Sequence, residues 1–178
     1  MSTLKKTFKK VFNLKGINMT LLVISCVIAP FIFIKYSPAF TVNTDQMAIV
    51  DDTLINAIIE AESSGNPNAF NRRTGARGLT QIRLIAWQDL RKHYGSKYRN
   101  LDYYQDIFNP NIAREAGKDY LNILKKYLIA KGIPVTYKNL LTAYVWGPDN
   151  LYRHGSWRAP KEGKLYVAKV MSLSAVKD

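Results

Sequence analysis

One carboxylate in this chain stands where a charged group is costly. Residues 54–63 show the apolar spacing of an amphipathic helix, in which each residue is rotated by about 100° from the previous one. Glu62 falls within the apolar stripe of that helix, whereas Glu60 falls on the opposite side. The stripe consists of Ile55, Ile58 and Ile59. Burial raises the pKa of a carboxyl group, and an acid still protonated near neutral pH can act as a general acid. The alternative is a helix end at which Glu62 reaches solvent.

Five short blocks of sequence follow one another along the chain, and the first of them begins at Glu62. They are Glu62-Ser63-Ser64-Gly65-Asn66-Pro67; Gly75-Ala76-Arg77-Gly78-Leu79-Thr80-Gln81-Ile82; Asn111-Ile112 with Gly117, Tyr120 and Leu121; Ala143-Tyr144-Val145-Trp146-Gly147-Pro148; and Glu162 with Tyr166, Val167, Lys169 and Val170. In order and spacing they resemble the pattern of the soluble-lytic-transglycosylase family, the SLT domain, whose members have a lysozyme-like fold. The resemblance extends from about Leu54 to about Met171. One block alone would be a weak signal, whereas five in order are a specific one.

Three positions depart from the family pattern. Thr80 replaces the usual Met, and Asn71 stands near where many members have a Ser, with one extra residue before Gly75. Val145-Trp146 replaces an Asn-Ala pair. The last change alters the expected cleft wall, but Glu62 is in place.

The resemblance implies a reaction for which one carboxylate is enough. The family's substrate is the β-1,4 bond between MurNAc and GlcNAc in peptidoglycan, and its product is a 1,6-anhydroMurNAc end. The 2-acetamido oxygen of MurNAc can attack C1, and the C6 hydroxyl can then close the ring. Glu62 would first protonate the leaving oxygen and then accept the C6 hydroxyl proton.

A second catalytic carboxylate is not evident from the sequence. Glu60 points away from the stripe, and Asp51 and Asp52 lie at the far end of the helix. The other aspartates considered are Asp89, Asp102, Asp106 and Asp149, most of which we interpret as solvated surface. This favours a transglycosylase over a muramidase of the goose-lysozyme type, in which water is the nucleophile.

Five further residues are candidate substrate contacts. They are Ser63, Asn71, Gln81, Tyr144 and Trp146. Ser63 could instead bond a carbonyl at the end of its helix, and Gln81 could be an exposed helix residue. We expect Tyr144 to line the cleft, and Trp146 either to stack on a sugar face or to pack in the core.

Composition narrows the class of protein. The chain has 178 residues and a formal net charge of +13, and a basic protein is attracted to polyanions. No helix-turn-helix, zinc finger or aromatic RNA-binding motif is present, so we expect no nucleic acid partner. His93 and His154 are isolated, no phosphate-binding glycine loop is present, and we predict neither a metal nor another cofactor. The single Cys excludes an intrachain disulfide.

The N-terminal region has the pattern of a membrane anchor. Residues 1–18 are basic, and an apolar segment at 19–36 is long enough to cross a bilayer. The positive-inside rule places the N-terminus in the cytoplasm and the remainder of the chain outside it. We expect the catalytic domain to lie on the periplasmic face, or the protein to lie in a viral membrane. A cleaved signal peptide ending near Ala39, a lipoprotein with Cys26 as the acylated residue, and a buried soluble helix are the alternatives.

The remainder reads as a linker, residues 37–50, and a mainly α domain, residues 51–178. The predicted elements are a helix from about Leu54 capped by Asp51, Asp52 or Thr53, then helices at about Leu79–Tyr94, Asn111–Lys131, Lys138–Val145 and Gly163–Ser174, with at most a small hairpin. The resemblance implies that these helices form a lysozyme-like SLT domain.

The predicted function is local cell-wall opening by cleavage of peptidoglycan strands, with membrane attachment through residues 19–36. The alternative outside the enzymes is a peptidoglycan-binding component of a secretion machine or a virion. Proteins of such an assembly are therefore possible partners in either case.

Overall fold

The structure is a computed structural model that describes residues 47–175. The predicted segments 1–18 and 19–36 lie outside those residues, as does most of the predicted linker. Among residues 47–175, no helix combines the length and the apolar character needed to cross a membrane. The signal anchor therefore stays a prediction.

The described part of the chain is helical, which confirms the predicted class. Its α-helices are α1 (Asp52–Ser63), α2 (Leu84–His93), α3 (Gly95–Tyr98), α4 (Pro110–Ala130), α5 (Tyr137–Trp146), α6 (Pro148–His154) and α7 (Lys161–Ser174), with short 3-10 helices at Asp106–Phe108 and Ser156–Arg158. Extended pairing within residues 47–175 is limited to two isolated bridges, Phe70 with Arg77 and Arg77 with Ile82.

The first helix begins and ends where its sequence dictates. The Asp51 side chain accepts a hydrogen bond from the Leu54 amide at 2.8 Å, so Asp51 is the N-cap among the three predicted candidates. Ser64 adopts a left-handed conformation with φ of 50°, and its amide donates to the Glu60 carbonyl. Glu62 consequently lies in the last turn of α1.

Helix α4 is the central element. Its 21 residues extend over about 32 Å, and Asn109 caps its first turn by accepting from the Asn111 amide at 3.0 Å. It contacts α1, α2, α5 and α6. Gly117 lets this helix approach the loop before α2 closely, because a Cβ there would lie 2.7 Å from Thr80 Cγ2.

The predicted helix at Leu79–Tyr94 was wrong in its first five residues, since α2 begins at Leu84. The preceding residues form a loop in which Gly78 has φ of 71° and Gln81 has φ of 47°. A side chain at Gly78 would overlap the Ile107 carbonyl oxygen, so this turn requires glycine. Residues 64–83 therefore form a loop of turns between α1 and α2, and this loop carries Gln81.

Residues at the end of the predicted linker belong to the domain. Ala48 is fully buried, and its amide donates to the Val135 carbonyl at 2.7 Å. Lys125 Nζ donates to the Ala48 carbonyl at 3.2 Å. A main-chain hydrogen bond thus ties the segment before α1 to the loop before α5, and a lysine side chain ties it to α4.

Candidate active site

The Glu62 carboxyl lies in a site that favours its protonated form. Burial raises its pKa from an ordinary 4.5 to about 7, and this effect prevails over the Tyr166 hydroxyl and the Lys169 charge, which both lower it. The apolar residues one and two turns earlier on the same face, Ile58 and Ile55, are fully buried. The alternative in which Glu62 extends into solvent is therefore wrong. At neutral pH both protonation states are populated, as an acid that later acts as a base requires.

Tyr166 and Lys169 come from α7, which packs against α1. Burial and the Glu62 charge raise the pKa of Tyr166 well above 10, so its phenol is neutral. Its hydroxyl is buried and influences the Glu62 carboxyl, yet it has no hydrogen bond of good geometry to any residue in 47–175. Lys169 Nζ donates to the Ala61 carbonyl at 3.2 Å. Tyr166 and Lys169 thus both lower the pKa of Glu62, against the effect of burial.

Neither residue was among the predicted site residues, although a sequence signal exists. Tyr166 is three residues after Gly163 and four before Val170, both of which are buried on α7. The helical period therefore places its ring on the buried face. A tyrosine hydroxyl on a buried face needs a polar partner, and that need points to a nearby polar group without saying which one.

Tyr144 connects the Glu62 region to an open cleft. Its hydroxyl donates to the Thr80 carbonyl at 2.5 Å, and its ring meets that of Tyr120 edge-on at 5.7 Å. Burial raises the pKa of Tyr144 well above 10, and the Glu62 charge adds to this effect. Tyr144 thus lies within electrostatic reach of Glu62 while it also lines the cleft.

This cleft, hereafter the main cleft, has a volume of about 330 Å³. Its lining includes Gln81, Asp89, Tyr120, Tyr144, Trp146 and Asp149. Glu62 itself is not one of the lining residues, so the carboxyl borders the main cleft through Tyr144. The structure therefore brings together three of the predicted contacts, Gln81, Tyr144 and Trp146.

Gln81 presents an acceptor to the main cleft. Its Nε2 donates to the carbonyls of Ala69 at 3.1 Å and Gly78 at 3.0 Å. Two carbonyl partners identify this atom as the amide nitrogen and use both of its protons. The amide oxygen keeps its lone pairs for a donor such as a sugar hydroxyl or an N–H. The idea that Gln81 is an exposed helix residue was wrong, because it lies in a loop and is half-buried.

Trp146 ends α5 at the rim of the main cleft. Its ring lies 5.9 Å from that of His154 and is half-buried. A ring held on one side and open on the other suits the apolar face of a pyranose.

Ser63 and Asn71 do not line the main cleft. Ser63 Oγ lies 2.8 Å from the Leu79 carbonyl and 3.0 Å from that of Ile59, so its hydroxyl ties the end of α1 to the loop that carries Gln81. Asn71 is exposed, and its side chain accepts from the amides of Arg73 and Thr74. Their contact with substrate stays a prediction.

Two of the aspartates considered in the sequence analysis lie at the main cleft. Asp89 and Asp149 both line it, whereas most of the aspartates were interpreted as solvated surface. Asp149 is exposed and accepts from the Tyr127 hydroxyl at 2.6 Å, whereas Asp89 is half-buried. Residues 47–175 contain no group of three His, Cys, Asp or Glu side chains arranged to hold a metal ion.

Comparison with known proteins gives a consistent result. The family described as Transglycosylase SLT domain matches residues 41–167. The Membrane-bound lytic murein transglycosylase E of Buchnera aphidicola subsp. Acyrthosiphon pisum (strain APS) is 33% identical over 106 residues, which are 58% of this chain and 47% of that protein. The chain thus spans about half the length of this relative. No solved structure gives a significant match.

Proposed function

Because the chain belongs to the SLT transglycosylase family, we propose that it cleaves the MurNAc-β-1,4-GlcNAc bond of peptidoglycan and leaves a 1,6-anhydroMurNAc end. The observation that supports this most strongly is the Glu62 carboxyl, whose pKa burial raises to about 7. It lies beside an open cleft with an aromatic wall and an amide acceptor. That arrangement suits a polysaccharide and one acid.

The reaction has two steps and consumes no water. In the first, Glu62 donates its proton to the GlcNAc O4, the C1–O4 bond breaks, and the 2-acetamido oxygen of MurNAc bonds to C1. In the second, the Glu62 carboxylate accepts the proton of the C6 hydroxyl, O6 bonds to C1, and the bond from the acetamido oxygen breaks. Glu62 ends the cycle protonated, ready for the next bond.

The neighbours of Glu62 support both steps. The Lys169 charge and the Tyr166 hydroxyl both favour the carboxylate, which is the form that the second step needs. In the main cleft, the Gln81 amide oxygen accepts from the acetamido N–H or a hydroxyl of the substrate, and Trp146 stacks on a sugar ring. Tyr144 holds the part of the cleft wall next to the Glu62 carboxyl in place through its bond to the Thr80 carbonyl.

One observation favours a hydrolytic alternative. Asp89 lines the main cleft, is half-buried, and could orient a water molecule as the second carboxylate of a goose-type muramidase. The two mechanisms differ in product, because hydrolysis leaves a reducing MurNAc end.

Mass spectrometry of digested sacculi tests the proposal. We expect products about 18 Da lighter than those of a muramidase, because hydrolysis adds one water molecule to each cleaved bond. The Asp89→Asn variant should give the same products. Reducing ends from the wild type, lost in Asp89→Asn, would establish the hydrolase instead. Sacculi that bind the protein but release no fragments would favour the non-catalytic component of a secretion machine or a virion.

We further propose that the enzyme acts locally at the membrane that anchors it. The apolar segment 19–36 supplies the anchor, and the related transglycosylase of Buchnera aphidicola is by its name membrane-bound. The catalytic domain would then lie outside the cytoplasm, on the periplasmic face, where its substrate is found. A location in a viral membrane is the alternative.

A further inference from the structure

A second cleft adjoins the main cleft. Its volume is about 230 Å³, and Arg83 and Ile85 line both clefts. Its other lining residues include Thr74, Arg77 and Tyr104. We name it the arginine cleft, because two guanidinium groups contribute to its wall. A ligand that fills the main cleft can therefore extend into the arginine cleft past these two shared residues.

Aromatic rings hold the guanidinium group of Arg77 in place. Its carbon lies 4.3 Å from the centre of the Phe70 ring and 5.2 Å from that of Tyr104, with Tyr103 and Phe108 within 6 Å. A side chain enclosed by rings has few rotamers left to lose when it binds a ligand. Its Nε atom is buried and has no hydrogen-bond partner among residues 47–175. The guanidinium group is thus held in place with one donor unused, while a hydrogen bond from Arg77 helps to lower the pKa of Tyr103.

The two arginines of this cleft are not held in ion pairs within the described part of the chain. Neither Arg77 nor Arg83 forms an ion pair with another residue in 47–175. Segment 63–88 contains Arg72, Arg73, Arg77 and Arg83 but no Asp or Glu. Burial raises the pKa of Tyr103, and the charges of Arg77 and Arg83 both oppose that rise, so both cations act on one phenol. An anion between them would relieve their repulsion.

We infer that the arginine cleft binds a carboxylate of the stem peptide carried by MurNAc. This rests on the proposed function, since it assumes a peptidoglycan strand in the main cleft. A planar guanidinium matches a carboxylate with two parallel hydrogen bonds. The stem peptide branches from the lactyl group of MurNAc and carries free carboxylates at regular positions along the strand. Asp89 and Asp149 line the main cleft instead, which directs an anionic group toward the arginine cleft.

Direct binding is the first test. The full chain would be titrated with the synthetic tripeptide L-Ala-γ-D-Glu-L-Lys in a calorimeter. We expect Arg77→Gln and Arg83→Gln to weaken binding about tenfold or more, and the tripeptide with amidated carboxyls to bind the wild type as weakly. Arg99→Gln removes an exposed charge that lines neither cleft, and it should bind like the wild type. Equal binding by all variants, or of the amidated tripeptide, would overturn the inference.

Cleavage is the second test, and it separates this inference from the proposed function. The readout is the ratio of kcat/KM for peptide-bearing strands over strands stripped by an amidase, which we expect to fall about tenfold in both variants. An unchanged ratio with no tripeptide binding overturns the inference and leaves the proposed function standing. Tripeptide binding that needs both arginines, together with no cleavage of either kind of strand, would support the inference and overturn the proposed function. Arg83 is exposed, so Arg83→Gln remains informative if Arg77→Gln fails to fold.

Discussion

In the proposed reaction, Glu62 has to perform two tasks that need opposite protonation states. It would give a proton to the leaving oxygen and then take one from the C6 hydroxyl, so a strongly acidic carboxyl would fail at the first step. Burial provides the proton by raising the pKa to about 7, and Lys169 and Tyr166 keep the pKa from rising further. The balance between these opposing effects is what makes one residue sufficient.

This balance predicts the pH dependence of the reaction. The first step needs protonated Glu62, which is the dominant form below its pKa of about 7 and is lost as the pH rises through it. We expect kcat/KM on solubilised glycan strands to be level below that value and to fall about tenfold per pH unit above it. A profile that rises through pH 7 would show that the free enzyme needs the carboxylate first.

Glu62 and its neighbours differ in how far sequence alone could place them. The helical period sets Glu62 among isoleucines within a single segment, so a local pattern was enough to find it. Gln81 could be identified as a candidate but not placed, because its left-handed φ in a non-glycine residue leaves no mark on the apolar spacing.

At the scale of elements, the site depends on the packing of α1 against α7. Glu62 and Lys169 are more than 100 residues apart in the chain, and their interaction exists only because the two helices meet. The ends of α4, α5 and α7 were predicted to within one or two residues from caps and periodicity. The short helix α6 was not predicted, although Pro148 stands at its first position, where proline is favoured.

Charge on α7 should set the working pH of α1. Lys169→Met removes a positive charge that lowers the Glu62 pKa, so the falling limb of the pH profile should move to higher pH. Lys164→Met removes an exposed charge from the same helix and should leave the limb in place. A profile that responds equally to both substitutions, or to neither, would show that Lys169 does not act on Glu62.

At the scale of the whole molecule, the charge distribution and the apolar segment favour two separate roles, which are attraction to an anionic polymer and attachment to a membrane. All 13 acidic residues follow position 44, together with 20 of the 26 basic ones, which leaves that part with a charge of +7. Such a domain is attracted to an anionic wall polymer. The segment 19–36 precedes it and would hold it at the membrane surface.

Membrane attachment is open to a simple fractionation experiment. We expect the full chain to stay in the membrane pellet after an alkaline carbonate wash and to have an uncleaved N-terminus by mass spectrometry. Leu22→Lys with Val27→Lys should release it, since each lysine costs about 3 kcal/mol in a membrane-spanning helix. Release by Cys26→Ser alone would point to the lipoprotein, and cleavage near Ala39 to the signal peptide.

The proposed reaction depends on the proton that Glu62 carries. The experiment is to measure the rate of anhydro-muropeptide release from purified sacculi by the wild type, Glu62→Gln and Glu60→Gln, with circular dichroism to confirm folding. Glu60 is an exposed acid on the same helix, so Glu60→Gln is the matched control. We expect Glu62→Gln to release fragments at least about 100-fold more slowly than Glu60→Gln, which should match the wild type. Equal rates from all three proteins would contradict the account.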